Sequence, residues 1–222
     1  MTTLADIQRR VGVTPDGVWG PRTAAAIWAA LPDVTGQGTP DMLNVRILAE
    51  TVEHEAIVQE SYKDSVGVWT WAIGLTAAAG VDVTRYKDKP ASIEECLRAF
   101  VARVRAQYLP DVLAAFGDRA LTEAQLAAAL SFHYNTGAIK RADWVKLWLA
   151  GRVTEARTAF MNWRSPASII LRREKERDLF FDGKWTQTGF ATVYPVSKPS
   201  YQPAFGKGKR IDIRSDLERA LA

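Results

Sequence analysis

From Ser92 to about Phe181, apolar side chains recur at helical spacing, in a run cut only at Pro110, Gly117, Gly137, Gly151 and Pro166. That punctuation predicts roughly five or six successive helices, each with an apolar stripe that must be buried against its neighbours. One earlier segment breaks the period. "SVGVWTWAIGL", residues 65–75, is rich in β-branched and aromatic residues, is marked by Gly67 and Gly74, and reads as a small hairpin. One hairpin among many helices defines an α+β, helix-dominated fold. With 222 residues, 47% of them hydrophobic and eight Trp, the chain has material for one sizeable core and an appendage.

The appendage is N-terminal. Residues 4–11 have the pattern of a short amphipathic helix, "TPDGVWGP" is a turn, and Pro21 opens a second helix expected to reach about Leu31. These elements make residues 1–33 a small helical unit, followed by a Gly- and Pro-containing linker at 34–40. Asp41 is the expected cap of a long helix that continues to about Glu60, and the main domain spans 41–182. From Gly183 to Ala222 the composition changes, and an extended arm with one strand-like piece, "ATVYPVS", and a short final helix near "SDLERALA" is predicted.

Composition also excludes several classes. The formal charge of +4 favours anionic surfaces without choosing among them, and the basic clusters at 172–174 and 207–210 are short and not interleaved with aromatics, so no nucleic-acid partner is expected. Cys96, the single cysteine, forbids an internal disulfide and reads as a core thiol. His54 and His133 are too few and too far apart for a zinc site, so neither metal nor cofactor is expected, and His133 is read as packing or facing solvent. Trp144, Trp148, Phe160 and Trp163 share a helical spacing that assigns them to the core, with Trp19 a further candidate core plug; Lys175, Arg177 and Asp178 belong to a solvated face. No signal peptide and no membrane-spanning run are expected.

Chemistry concentrates at "EHEAIVQESYKDSVGVWTWAIGL", residues 53–75. Glu55 falls at the edge of the buried side of a helix, where partial desolvation favours the protonated carboxyl that a general acid needs. Asp64 follows in a turn whose water and backbone donors keep it ionised, and Thr70 lies across the hairpin with a hydroxyl able to hold water. Two carboxyl groups in contrasting surroundings supply an acid and a base to one site. Glycoside hydrolysis uses such a pair, the second carboxylate either activating water or attacking directly. The same residues also fit ordinary surface carboxylates beside a turn.

The pattern E-x8-D-x5-T, with "SYKDSVGVWT", resembles the signature of the phage-type lysozymes, the endolysins of the T4-like glycoside hydrolase family. "ALSFHYNTG", residues 129–137, is similar to a segment that lines the family's saccharide cleft, and "LRREKERDLF", residues 171–180, to its late "RRxxE" helix. The resemblance implies a lysozyme-like domain with a β-hairpin lobe and a helical lobe. It implies Glu55 as general acid, Asp64 and Thr70 as holders of water, and Tyr134 and Asn135 as sugar contacts. Arg172 is the cation expected to reach Glu55, with Arg173 the alternative. "WAIGLT" departs from the family's "xGxGHT": Ala72 replaces a glycine, and Leu75 stands at a cleft position usually held by histidine.

"IQRRVGVTPDGVWGPRTAAAIWAAL" in turn resembles the peptidoglycan-binding domains of cell-wall hydrolases, with Asp16, Gly17, Trp19, Gly20 and Thr23 at matching positions. Together the resemblances imply a muramidase endolysin that cuts the β-1,4 bond between N-acetylmuramic acid and N-acetylglucosamine. It would be made in the host cytoplasm, released to the wall by holin-like machinery, and act as a monomer. A non-catalytic wall-binding protein that keeps the fold, and a lytic transglycosylase, are the alternatives.

Overall fold

The computed structural model describes residues 3–19, 23 and 42–222. The chain divides into two compact units, Met1–Met42 and Leu43–Ala222. The expected helix at 21–31, the linker at 34–40, Gly20 and the capping role of Asp41 lie outside the described residues.

In the first unit, α1 (Leu4–Arg10) starts from a capping box: the Thr3 side chain accepts from the Asp6 N–H, and the Asp6 carboxylate accepts from the Thr3 N–H. The turn after it is organised by Gln8, which is 1% exposed. Its Nε2 group lies 2.7 Å from Asp16 Oδ1, 2.9 Å from the Val18 carbonyl and 3.0 Å from Thr23 Oγ1, while its Oε1 accepts from the Gly17 N–H at 2.8 Å. A buried amide with this many partners fixes the loop without an unsatisfied polar group. Trp19 does not plug the core. It is 64% exposed, because the turn is closed by Gln8 rather than by an apolar side chain.

The second unit opens with α2 (Val45–Glu55), capped by Asn44, whose Oδ1 accepts from the Ile47 N–H at 2.9 Å. The expected continuation to Glu60 does not occur. The helix stops at Glu55; Ala56 takes φ 63° and ψ 174°, and the next residues enter β1 (Val58–Lys63). The cause is a pairing distant in sequence: the Ile57 N–H donates to the Thr192 carbonyl and the Tyr194 N–H donates to the Ile57 carbonyl, both at 2.9 Å. The hairpin is therefore a three-stranded antiparallel sheet of β1, β2 (Trp69–Ala72) and β3 (Leu75–Thr76), with Tyr62 opposite Thr70 and Trp71 opposite Leu75.

The helical lobe comprises α3 (Ile93–Arg103), α4 (Leu109–Phe116), α5 (Glu123–Thr136), α6 (Asp143–Leu149), α7 (Val153–Phe160) and α8 (Ile170–Asp182). Pro110 is not a boundary. A π-helical segment, Val104–Tyr108, joins α3 to α4 without a break, and Pro110 follows it at the start of α4, where the shift to the wider π pattern spares the helix a regular i→i−4 bond at that point. Gly117 and Gly137 do end α4 and α5, the latter in the left-handed conformation that glycine adopts without a Cβ clash. Trp144, Phe132 and Phe160 are fully buried and pack edge-on or tilted around one another, while Trp148 and Trp163 are half-buried at the margin. Cys96 is buried in the same core.

The C-terminal segment is not an arm lying over a finished domain. It forms β4 (Phe190–Val193), β5 (Val196–Ser197), β6 (Gln202–Pro203), β7 (Lys209–Asp212) and α9 (Arg214–Leu221), with β4 paired to β7 and β5 to β6. Ile213 and Leu217 are 0% exposed and α9 packs on α3 and α2, so this segment completes the core. The final helix stands where the sequence indicates it. The resulting architecture is α+β and helix-dominated.

Candidate active site

Glu55 is the last residue of α2, and its side chain is 21% exposed. Arg172, on the buried side of α8, approaches it directly, with Nη1 2.5 Å from Oε1. The same guanidinium donates from Nε to Glu176 Oε1 at 2.8 Å and from Nη2 to the Ser131 carbonyl at 3.0 Å. Burial works against the charge on Arg172, but the carboxylates of Glu55 and Glu176 outweigh it and hold its pKa above the ordinary value. Arg173 serves a different network. It is fully buried, pairs with Glu176, donates from Nε to the Trp163 carbonyl at 3.0 Å and from Nη2 to Asn135 Oδ1 at 2.6 Å. Arg172, not Arg173, is the cation at Glu55.

Three tyrosines feel the charge of the Glu55 carboxylate. Burial, and then the charges of Glu55 and Asp64, push the Tyr62 hydroxyl up to about 12. Tyr134 is raised well above its ordinary value by burial and then by Glu55, and Tyr108 is raised mainly by burial, with Glu55 contributing. All three stay protonated, and so neutral, near neutrality. The Tyr62 hydroxyl feels the charges of both Glu55 and Asp64.

Asp64 follows β1 directly, in the turn to β2. Its Oδ1 accepts from the N–H groups of Val66 at 3.0 Å and Val68 at 2.8 Å. These bonds fix the carboxylate in a local turn, and no described residue donates to Oδ2. Thr70 is directly opposite Tyr62, so both side chains leave the same face of the sheet. Its Oγ1 donates to the Val68 carbonyl at 3.1 Å, which ties it to the Asp64 turn.

The remaining expected contacts separate. Asn135 is exposed, whereas the Tyr134 hydroxyl is committed to the Ile73 carbonyl. Leu75 is 2% exposed and turned into the core, where its strand partner Trp71 stacks on Tyr86 with centroids 3.7 Å apart. An aliphatic side chain at this position finds apolar packing and no open surface. Ala72, where a glycine is usual, has φ 55°. Ser131, Glu176 and Tyr62 were not singled out from sequence; the four-residue spacing of Arg172 and Glu176 was the available signal for the second of these. Among the described residues, no group of three or more His, Cys, Asp or Glu side chains could hold a metal ion, and no helix is long and apolar enough to cross a membrane.

The segment from Glu55 to Asp64 is held from behind by the C-terminal extension. Glu53 accepts from the Thr188 N–H at 2.6 Å and from Arg210, Ile57 pairs with the backbone around Val193, and the Lys63 N–H donates to the Tyr201 carbonyl at 2.6 Å. The extension thus holds the chain just before Glu55, just after it and just before Asp64.

Residues 52–176 match the family model described as phage lysozyme, more than half of the chain. Among solved structures, an endolysin from Escherichia coli O157:H7 phage FAHEc1 is similar at 19% identity and a TM-score of 0.53, with 68% of this chain and 99% of that one covered. A variant of P22 lysozyme is similar at 20% identity and a TM-score of 0.51, with coverage of 64% and 99%. Both are likenesses of fold. No curated protein sequence matches the chain. The match spans Glu55, Asp64, Thr70 and Arg172 together, and on it the chain belongs to the phage lysozyme family.

Proposed function

We propose that the chain is a muramidase endolysin that hydrolyses the β-1,4 bond between N-acetylmuramic acid and N-acetylglucosamine. The observation that carries this reading is the phage lysozyme match over residues 52–176, which takes in Glu55, Asp64, Thr70 and Arg172, together with the bond from Arg172 to Glu55. Glu55 gives its proton to the glycosidic oxygen as the bond to the anomeric carbon breaks. Arg172 stabilises the carboxylate that remains. Asp64, its Oδ1 anchored by the Val66 and Val68 N–H groups, uses Oδ2 to orient or deprotonate the attacking water, and Thr70 is the second holder of that water. The water's hydroxyl joins the anomeric carbon, and its proton leaves through Asp64.

Asn135, the exposed member of its pair, meets the glycan, while Tyr134 shapes the floor through its bond to Ile73. The N-terminal unit is a wall-binding module in which Asp16, Gly17 and Thr23 build the turn around Gln8 and the exposed Trp19 offers the contact surface. The protein acts as a monomer on the wall after release by holin-like machinery, and the boundaries at 33 and 40 separate binding from cutting.

Mass spectrometry of the soluble fragments released from purified sacculi tests the reaction type. Hydrolysis leaves reducing muramic acid ends that carry one added water. Fragments lighter by one water, the anhydro product of a transglycosylase, overturn the assignment, as does the absence of release.

A further inference from the structure

Beside Asp64 lies a recess of about 420 Å³, with Tyr62, Lys63, Asp64 and Ser65 on one wall and Gln202, Pro203 and Phe205 on the other. The second wall belongs entirely to the C-terminal extension, which lies beyond residues 52–176 matched to the family. We propose that this recess is an additional saccharide subsite, in which the ring of Phe205 stacks on a sugar of the glycan strand beyond the bond that is cut. The inference rests on the muramidase reading, since Asp64, which lines this recess, is the carboxylate assigned to the attacking water there.

Three features argue for a built surface. Phe205 is 71% exposed and lines the recess, so its ring is accessible to a ligand lying there. The ring is also held: it meets Tyr194 edge-on with centroids 5.2 Å apart, while the Ala204 N–H donates to the Pro195 carbonyl and the Lys207 N–H to the Ala204 carbonyl, both at 2.8 Å. The whole segment is docked on the hairpin. Tyr201 accepts from the Lys63 N–H and packs edge-on against Trp69 at 5.2 Å, and Lys198 donates to Glu60 at 2.9 Å. A rigid aromatic face with an amide and a carboxylate at its margin is the chemistry of a pyranose site: the C–H face of the ring lies on phenyl, and hydroxyl and N-acetyl groups find Gln202, Ser65 and Asp64. The continuity of the recess with Asp64 selects a glycan strand as occupant.

The test separates binding from cutting. Full-length protein carrying Glu55→Gln is titrated with peptide-free glycan strands prepared from sacculi, and the affinity is compared with that of Glu55→Gln combined with Phe205→Ala or with Phe205→Trp. Loss of the stacked ring should weaken binding about tenfold, and Trp should restore it. Circular dichroism confirms that each variant is folded, as expected for a side chain this exposed. Equal affinity with and without Phe205 overturns the subsite. If the parent binds strands through Phe205 yet does not cut them, the muramidase reading fails while the subsite stands.

Discussion

Arg172 Nη1 lies 2.5 Å from Glu55 Oε1, across 117 residues of sequence, and the same guanidinium is bonded to Glu176 and Ser131. The candidate acid is thus tied to the core of the helical lobe through one side chain. Arg173 is bonded to Glu176 but not to Glu55.

This asymmetry makes the two arginines separable. Arg173→Met leaves Glu176, which is fully buried, short of one partner and should cost about 3 kcal/mol of stability in urea denaturation. Arg172→Met should cost a comparable amount and also lower the rate of peptidoglycan clearing by protein confirmed as folded. A parental clearing rate in Arg172→Met would contradict the role given to the pair.

Ala56, immediately after Glu55, holds φ 63° and ψ 174°, a region occupied almost only by glycine. Ala56→Gly relieves that strain, at the expense of a more flexible unfolded chain, and should raise stability by about 1 kcal/mol. A less stable glycine variant in chemical denaturation would contradict the strain.

Leu217 is 0% exposed on α9, whereas Leu171 is 64% exposed on α8. If the C-terminal segment completes the core, Leu217→Ala should cost about 2 to 5 kcal/mol, while Leu171→Ala should stay within about 0.5 kcal/mol. Equal small effects in thermal melts would return the segment to the status of a dispensable arm.

His133 is buried beside Asp111, 3.2 Å away, with Lys140 paired to the same carboxylate. Burial lowers the His133 pKa below the ordinary 6.5, although Asp111 pulls the other way. The unfolded chain therefore takes up the proton first as pH falls. Stability from this group is complete above about pH 6.5 and declines as pH falls through the depressed folded value. His133→Gln should flatten that part of the stability profile; an unchanged slope would assign it to other groups.

Much of the fold was legible because it is written in local patterns. Ser92 and Thr122 cap α3 and α5, and Gly117, Gly137 and Gly183 stop their helices by residue chemistry that acts over one turn. The end of α2 was not legible. Ala56 has high helix propensity, and only the pairing of Ile57 with Thr192 and Tyr194 forces the turn there, so the sequence pattern carries the helix on to about Glu60, into the first half of β1. The C-terminal sheets join strands separated by polar, Gly- and Pro-containing stretches and left little periodicity to read. At the site, Glu55, Asp64, Thr70 and Arg172 carried a recognisable spacing. Tyr62, Ser131 and Gln8 did not, because their importance lies in partners fixed only by the fold.

The most direct measurement of the central claim is the clearing of purified peptidoglycan by the parent and by Glu55→Gln. The amide keeps the shape of the side chain but has no acidic proton to give, so the account predicts that the parent clears the suspension and that the folded variant is at least about a hundredfold slower. Clearing by Glu55→Gln at the parental rate would contradict it.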